Sequence, residues 1–398
     1  MYRACQSIYS VIPKFITMIQ SIDELYENVE KGRKIIVLYS GGLDGTFLLA
    51  KLKDKGYTNI SALHIDIEGS YSYAQIFDRL EKLGVESNVL PLTDEFLNNY
   101  VLNSIHAYAK YLGGHPLSAS LSRPLIVKHA FEYINQNNLN SAVLLHTSNN
   151  SQNSLRRFNN SLKDLGYKGL YGSPYEKTHI SRSEKLMYLN NNGIAFDLQL
   201  FSEDSNIWCR EFEYGDFENI ENANIPEESF VWTRKEERVY EDIVNIEFRN
   251  GIPVSLNNES LSLREIILII RKKVGKYGIG RFIGLEEIHT GAKVLEVREA
   301  PSAALLMDAY KNLELATINS ETSRVKSNIE QLWVREASEG RWFGQLRQAC
   351  DSFCREISFA ISGSVTYKLS ENQFQLISIR ALKPNYIINR DKFEEKND

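Results

Sequence analysis

Between residues 34 and 50 the chain reads KIIVLYSGGLDGTFLLA, and the chemistry this stretch can do is anion binding. Gly41 and Gly42 let the backbone turn sharply and approach a ligand closely. The free N–H groups of a helix starting just after them favour a negative group, above all a phosphate. There is no G-x-x-x-x-G-K-S/T with its lysine and no G-x-G-x-x-G, so neither of the two commonest nucleotide loops is present. Two further polar clusters could carry chemistry. His146-Thr147-Ser148-Asn149 follows an apolar run, and Cys350 and Cys354 lie four apart on a helical stretch. The cysteine pair has no zinc spacing with histidine and reads as two small core residues.

Several elements must position these residues. Residues 34–39 form a β-branched apolar run that reads as a buried parallel strand, followed by helical apolar spacing at Leu43, Phe47 and Leu48. That helix is expected to end near Gly56. Strands are expected at 60–65 and 85–90 with a helix over 73–83 between them. A long helix capped by Thr93 or Asp94 should reach Leu112, another should run from Pro124 to Ile134, and a strand over 142–145 should end at His146. Before the first strand, 14–32 reads as an amphipathic helix with Phe15, Met18, Ile19, Ile22, Leu25 and Val29 on one side. The alternation predicts a doubly wound parallel α/β sheet, with ligands in the crevice outside the strand C-termini.

The pattern changes after the polar, acidic stretch DFENIENANIPEE at 216–228, which reads as a linker. Residues 244–248, Asn250-Gly251 and 252–256 carry a strong hairpin signal. A helix over 263–274, a strand over 293–298, helical sequence over 303–338 and a second hairpin at 364–369 and 374–379 follow. The expected organisation is a helical extension at 1–33, a nucleotide-binding domain at 34–216 and an α+β domain at 217–398.

Composition removes some function classes. With 398 residues and 43% hydrophobic content the chain can bury a large core. A net charge of −5, with Lys and Arg dispersed, leaves no basic stripe for a nucleic acid. Pro13 and scattered polar residues make the first twenty residues read as neither a signal peptide nor a membrane span. Four cysteines without a C-x-x-C pair fit a reducing cytoplasm.

Ser40-Gly41-Gly42-Leu43-Asp44 with Thr46 resembles the S-G-G-x-D-S/T loop of the pyrophosphatase-type ATP-binding family, whose members split ATP between the α- and β-phosphates. The resemblance extends further, to argininosuccinate synthase, over roughly residues 34–380. Residues 38–46 resemble its A-Y-S-G-G-L-D-T-S. Residues 117–124, LSASLSRP, look like L-G-T-S-L-A-R-P, and 206–210, NIWCR, look like N-L-W-G-R. Gly278-Ile279-Gly280-Arg281 with Glu286 is similar to G-I/V-G-R and its later glutamate, and Glu299-Ala300-Pro301 to E-T/A-P.

The departures fall on substrate positions. The family loop H-G-A-T-G-K-G-N-D-Q-V-R-F is here HTSNNSQNSLRRF over 146–158. Asn153 and Arg157 survive, three glycines are gone, and the family's threonine and aspartate have become Asn149 and Ser154. Glycine loss forfeits positive φ and close backbone approach, so the loop is expected to run differently. A family tyrosine corresponds to His115, while Ser120 and Ser202 are kept. A serine becomes Glu211 and a tyrosine becomes Arg298, and Glu286, the family's acidic partner of the substrate amine, is kept. Glu211 and Arg298 either pair with each other and fill the pocket or contact a substrate with charges citrulline lacks. The second reading is preferred, because a buried pair is a poor default filler and arginine suits a carboxylate.

The resemblance implies ATP on residues 39–46, that is Tyr39, Ser40, Gly41, Gly42, Leu43, Asp44 and Thr46, with the adenine near Ile65 and Thr147 also on the nucleotide. Mg²⁺ would bridge the phosphates with Asp44 beside it, and Ser40, Asp44 and Arg123 would serve catalysis. An oxygen of the first substrate attacks the α-phosphate. An amine of the second, held near Asn149, Asn153 and Ser154, then displaces AMP. Three functions compete: an AMP-forming C–N ligase with other small, amino-acid-like substrates, true argininosuccinate synthase, or a non-catalytic nucleotide-binding paralogue. The family is typically tetrameric through a C-terminal helix. About twenty residues follow Ile379 here, without the family's S-L-Y continuation. A homo-oligomer, dimer or tetramer, is the expectation, with no membrane or nucleic-acid partner.

Overall fold

The computed structural model describes residues 17–68, 73–196, 202–213, 219–237 and 239–395. The first half contains β1 (Met18–Ile19), α1 (Ile22–Asn28), β2 (Ile35–Leu38), α2 (Leu43–Asp54), β3 (Ile60–Asp66), α3 (Ala74–Lys82) and β4 (Glu86–Pro91). A broken helical stretch follows: α4 (Thr93–Phe96), a π turn (Leu97–Val101) and α5 (Leu102–His106). Then come α6 (Ala119–Gln136), β5 (Val143–Leu145), α7 (Asn153–Asp164), β6 (Tyr171–Gly172) and α8 (Arg182–Asn191). The strands form one parallel sheet in the order β1-β6-β5-β2-β3-β4. Side chains alternate across it. Ile36, Leu38 and Leu144 enter one core, and Ile35, Val37, Val143 and Leu145 enter the other, so the strands are apolar on both faces. From β2 the sheet grows one way through β3 and β4 and the other way through β5 and β6. The crevice expected at this reversal lies outside the C-terminal ends of β2 and β5.

The second half is α+β. After β7 (Ser202–Ser205) and β8 (Arg210–Glu213) come β9 (Asp242–Arg249), β10 (Ile252–Leu256), β11 (Glu259–Ser260), α9 (Leu263–Gly275), β12 (Arg281–Glu287) and β13 (Lys293–Glu299). The chain continues through α10 (Pro301–Thr317), α11 (Ser320–Ser338), α12 (Gln345–Ser358), β14 (Gly363–Ser370), β15 (Gln373–Ala381) and α13 (Arg390–Glu394). Two antiparallel sheets result, β11-β10-β9-β14-β15 and β12-β13-β8-β7. The second draws β7 and β8, which precede residue 216, onto β13. No helix among the described residues is long and apolar enough to cross a membrane.

Several elements differ from their sequence expectation. The helix over 14–32 is reduced to Ile22–Asn28, because Met18 and Ile19 pair with β6 and Ser21 caps the helix start; Phe15 lies outside the described residues. The helix from Thr93 stops at His106, well short of Leu112. Its last carbonyl accepts from Lys326 Nζ at 2.7 Å, and Tyr108 turns to φ 42°. Thr93 lies inside this helix, not at its cap. The helix assigned from Pro124 begins five residues earlier, at Ala119, with Pro124 inside it. Burial of Ala119, Ser120, Leu121 and Ser122 outweighs the local preference against an internal proline. The 303–338 stretch is two helices, broken where Asn319 caps α11. Within the stretch read as a linker, Ala223 and Ile225 pack on Phe212, Phe230, Leu295 and Val297.

Candidate active site

The loop after β2 builds one wall of a cavity of about 490 Å³ at the sheet reversal. Gly41 takes φ 85°, and a Cβ there would lie 2.8 Å from Ile76, so glycine is required for the turn. α2 starts at Leu43 with no side-chain cap on Gly42, and its first intrahelical bond is from Thr46 N–H to the Gly42 carbonyl. The amides of Leu43, Asp44 and Gly45 therefore have no acceptor within the helix. Gly45 accommodates Tyr39, since a Cβ would sit 2.8 Å from the ring. The Tyr39 hydroxyl in turn pairs with Thr46 Oγ1 at 2.8 Å. Thr46 is fully buried, donates to the Gly42 carbonyl at 2.9 Å and does not line the cavity. It braces the loop, where a nucleotide contact was expected.

Three cations surround this loop that the sequence motifs did not indicate. Arg79 on α3 donates to the Gly41 carbonyl at 2.8 Å and stacks on Phe196. Arg182 lines the cavity, and Lys185 donates to Asp44 Oδ1 at 2.8 Å. The capping box of Ser181 and Glu184 that starts α8 is a readable local signal. Where that helix docks is not.

The opposite wall is the sheet β12-β13-β8-β7. Register places Arg298 across from Glu211, and Glu211 across from Asp204. Alternation then puts Ser202, Asp204, Glu211, Glu296 and Arg298 on one face, and all of them line the cavity. Glu286 lies at the centre of the charges. Its Oε1 accepts from Asn153 Nδ2 at 2.9 Å and Arg157 Nη2 at 2.8 Å. Its Oε2 accepts from Arg298 Nη2 at 2.7 Å and faces His115 Nε2 at 3.5 Å. Arg298 Nε lies 2.9 Å from Glu211 Oε1, so these two residues do pair with each other. Both still line the cavity, and Arg298 Nη1 is buried with no hydrogen-bond partner among the described residues. Burial pushes the Glu211 carboxyl up and the Arg298 guanidinium down from their ordinary values.

Between the walls runs the segment after β5. No residue over 147–152 has positive φ. The turn is closed instead by side chains: Asn149 Oδ1 accepts from Ser151 N–H at 2.9 Å and from its hydroxyl at 2.6 Å. Asn153 and Ser154 then open α7. Asn153 also donates to the Glu287 carbonyl, and Ser154 Oγ accepts from Arg123 Nε at 3.1 Å. Arg123 is further held by Asp204 and Ser122. His146, at the strand end, is buried and donates from Nε2 to Asn159 Oδ1 at 2.9 Å; burial holds its pKa down at about 4.

Most of the expected residues thus meet in one cavity: Tyr39, Ser40, Gly41, Gly42, Leu43, Asp44, Ile65, Arg123, Thr147, Asn153, Ser154, Arg157, Ser202, Glu211, Glu286 and Arg298. Four do not line it, namely Thr46, His115, Ser120 and Asn149. His115 stacks on Tyr111 behind Glu286, and Ser120 is buried within α6. Other resembling stretches serve packing. Asn206 Nδ2 donates to Ser118 Oγ at 2.9 Å, Glu299 accepts from Thr233 and Arg210, and a Cβ on Gly280 would strike Pro301 at 2.4 Å.

As a metal ligand Asp44 fits poorly. Among the described residues no three His, Cys, Asp or Glu side chains could hold an ion together. Mg²⁺ often needs only one or two carboxylates besides phosphate oxygens, but one oxygen of Asp44 already holds the Lys185 ammonium.

The chain is similar to known proteins through both of its halves. Residues 34–195 match the family description "Arginosuccinate synthase N-terminal HUP domain" and residues 201–396 match "Arginosuccinate synthase C-terminal domain". Argininosuccinate synthase of Pyrococcus furiosus is 33% identical over 339 residues, 84% of this chain and 82% of that one. That of Oenococcus oeni is 32% identical over 343 residues, 84% of each. Among solved structures, NMN synthetase from Francisella tularensis has a TM-score of 0.30 at 13% identity, covering 44% of this chain and 66% of that one. Matched through both halves and identical to such a relative at a third of the aligned positions, the chain belongs to the argininosuccinate synthase family.

Proposed function

We propose that this ATP-dependent ligase forms AMP and pyrophosphate while joining two small, amino-acid-like substrates that differ from citrulline and aspartate. The observation that carries the specificity reading is Arg298 on Glu286: its Nη2 donates to Oε2, while Asn153 and Arg157 already hold Oε1. A carboxylate so engaged has little capacity left for a substrate amine. Arg298 Nη1, buried on the same wall and without a hydrogen-bond partner among the described residues, is a donor for an acceptor oxygen.

The chemistry follows from placement. The amides of Leu43, Asp44 and Gly45 with Arg79 and Arg182 give the phosphates a field of fixed positive ends. An oxygen of the first substrate attacks the α-phosphorus, the bond to the β-phosphate oxygen breaks, and pyrophosphate leaves toward α2. The amine of the second substrate then attacks the activated carbon and AMP departs. Arg157 and Arg298, both immobilised by carboxylates, orient the first substrate. Such alignment accounts for up to ~7–11 kcal/mol of barrier reduction. Mg²⁺, when bound, would add screening of the phosphate charge.

ATP–pyrophosphate exchange across a panel of carboxylic and ureido acids tests this reading. Exchange is expected with some acid other than citrulline, and robust argininosuccinate formation from citrulline and aspartate would refute it. The relatives are argininosuccinate synthases by name, which favours that second reading, true argininosuccinate synthase, and the same assay decides between them. AMP release no higher than in a Ser40→Ala control would point to a non-catalytic paralogue. We also propose the cytoplasm as the site of action and a homo-oligomeric assembly, which light scattering would test.

A further inference from the structure

Lys185 lies on α8, far in sequence from the phosphate loop, yet its ammonium meets that loop's carboxylate at 2.8 Å. It is 8% exposed, and a buried ammonium is costly unless it is paired. It sits in the first turns of a helix, where a positive charge is disfavoured. Its compensation comes from Asp44 and from the face of Tyr175, whose ring centre is 4.5 Å away and whose hydroxyl donates to the Asp44 carbonyl at 3.0 Å. The ammonium carries three donors, and among the described residues Asp44 Oδ1 is its one hydrogen-bond acceptor. Asp44 itself lies in the first turn of α2 and lines the cavity. There an ionised carboxylate would repel a phosphate drawn to the same helix end. A cation beside Asp44 offsets that repulsion.

We propose that this cation is Lys185: from behind Asp44, outside the cavity lining, its ammonium neutralises the carboxylate beside the phosphate site, so Asp44 anchors a lysine and not a metal ion. The proposal rests on the reading that ATP phosphates bind the loop after β2. It assigns the phosphate site a fixed counter-charge to Asp44, so that pyrophosphate binds there without a divalent metal.

Calorimetric titration of the full chain with inorganic pyrophosphate and with ATP, in EDTA and in Mg²⁺, tests it. In EDTA, Lys185→Gln is expected to weaken pyrophosphate binding by about tenfold or more, and Lys185→Arg to hold it within about threefold. Asp44→Asn should leave metal-free binding intact or tighter and keep the affinity gain on adding Mg²⁺. Unchanged binding by Lys185→Gln in EDTA, or loss of the Mg²⁺ gain in Asp44→Asn, would overturn the proposal. Thermal unfolding of each variant separates these outcomes from misfolding, and recovery in the arginine variant marks the charge as the cause. Wild-type protein that binds neither probe would remove the ATP reading and this inference together.

Discussion

Glu286 holds the cavity together because residues from two separate elements converge on its two oxygens, Asn153 and Arg157 from α7 and Arg298 from β13, with His115 alongside. Removing one partner of such a buried ionic group leaves the rest uncompensated. Arg298→Met should therefore cost ~3–5 kcal/mol, as Glu211 loses its guanidinium and Glu286 keeps only that of Arg157. Glu211→Gln should cost much less, since Arg298 keeps Glu286. Urea denaturation of the two variants checks the order, and equal losses would contradict it. At the loop, Thr46→Val removes one hydroxyl from a fully buried pair with Tyr39 and is expected to cost ~1–3 kcal/mol in the same experiment.

Elements dock through turns and buried charges. Asn250 and Gly251, at φ 51° and 75°, form the tight turn between β9 and β10 that their sequence predicts. The turn does more than join strands: Gly251 N–H donates to the Ile361 carbonyl at 2.7 Å, its carbonyl pairs with His106 Nε2, and a Cβ would lie 2.7 Å from Ser358. Gly251→Ala should lower stability by at least ~1–2 kcal/mol from the left-handed backbone alone. A melting temperature equal to wild type would exclude that role. On α11, Lys326 is fully buried between Glu314 at 2.6 Å and Glu330 at 2.5 Å while holding the end of α5. Lys326→Met should cost ~3–5 kcal/mol, and protection of the α5 amides from hydrogen exchange should fall with it.

Across the whole molecule, two buried histidines tie stability to pH. Burial lowers His106 and His146 to about 4 from an ordinary value of 6.5. The unfolded chain then takes up these protons first as pH falls below 6.5. Their contribution is complete above that value and is lost progressively down to about pH 4, at up to ~1.4 kcal/mol per pH unit for each. Denaturant titrations at pH 4.5–7.5 should show His106→Gln and His146→Gln each flattening the slope. A slope unchanged in both would rule out this linkage.

Much of this protein was legible in its sequence. Strand, glycine turn and helix at 35–54, the alternation of the parallel sheet and the Asn250-Gly251 hairpin all arise from local backbone preference and side-chain periodicity, which act between near neighbours. Resemblance of separated motifs named the residues that meet in the cavity, and their identity was sufficient for that. Tertiary structure alone decided who partners whom. Strands as polar as SEDS and REFE at 202–205 and 210–213 carry no strand signal of their own, yet β13 recruits them and so sets Glu211 beside Arg298. Thr46 turned inward, Glu286 took Arg298 as a partner and Lys185 reached Asp44 across 141 residues. Such pairings depend on how distant elements pack, and pairwise charge between residues far apart in the chain leaves no pattern in the sequence to read.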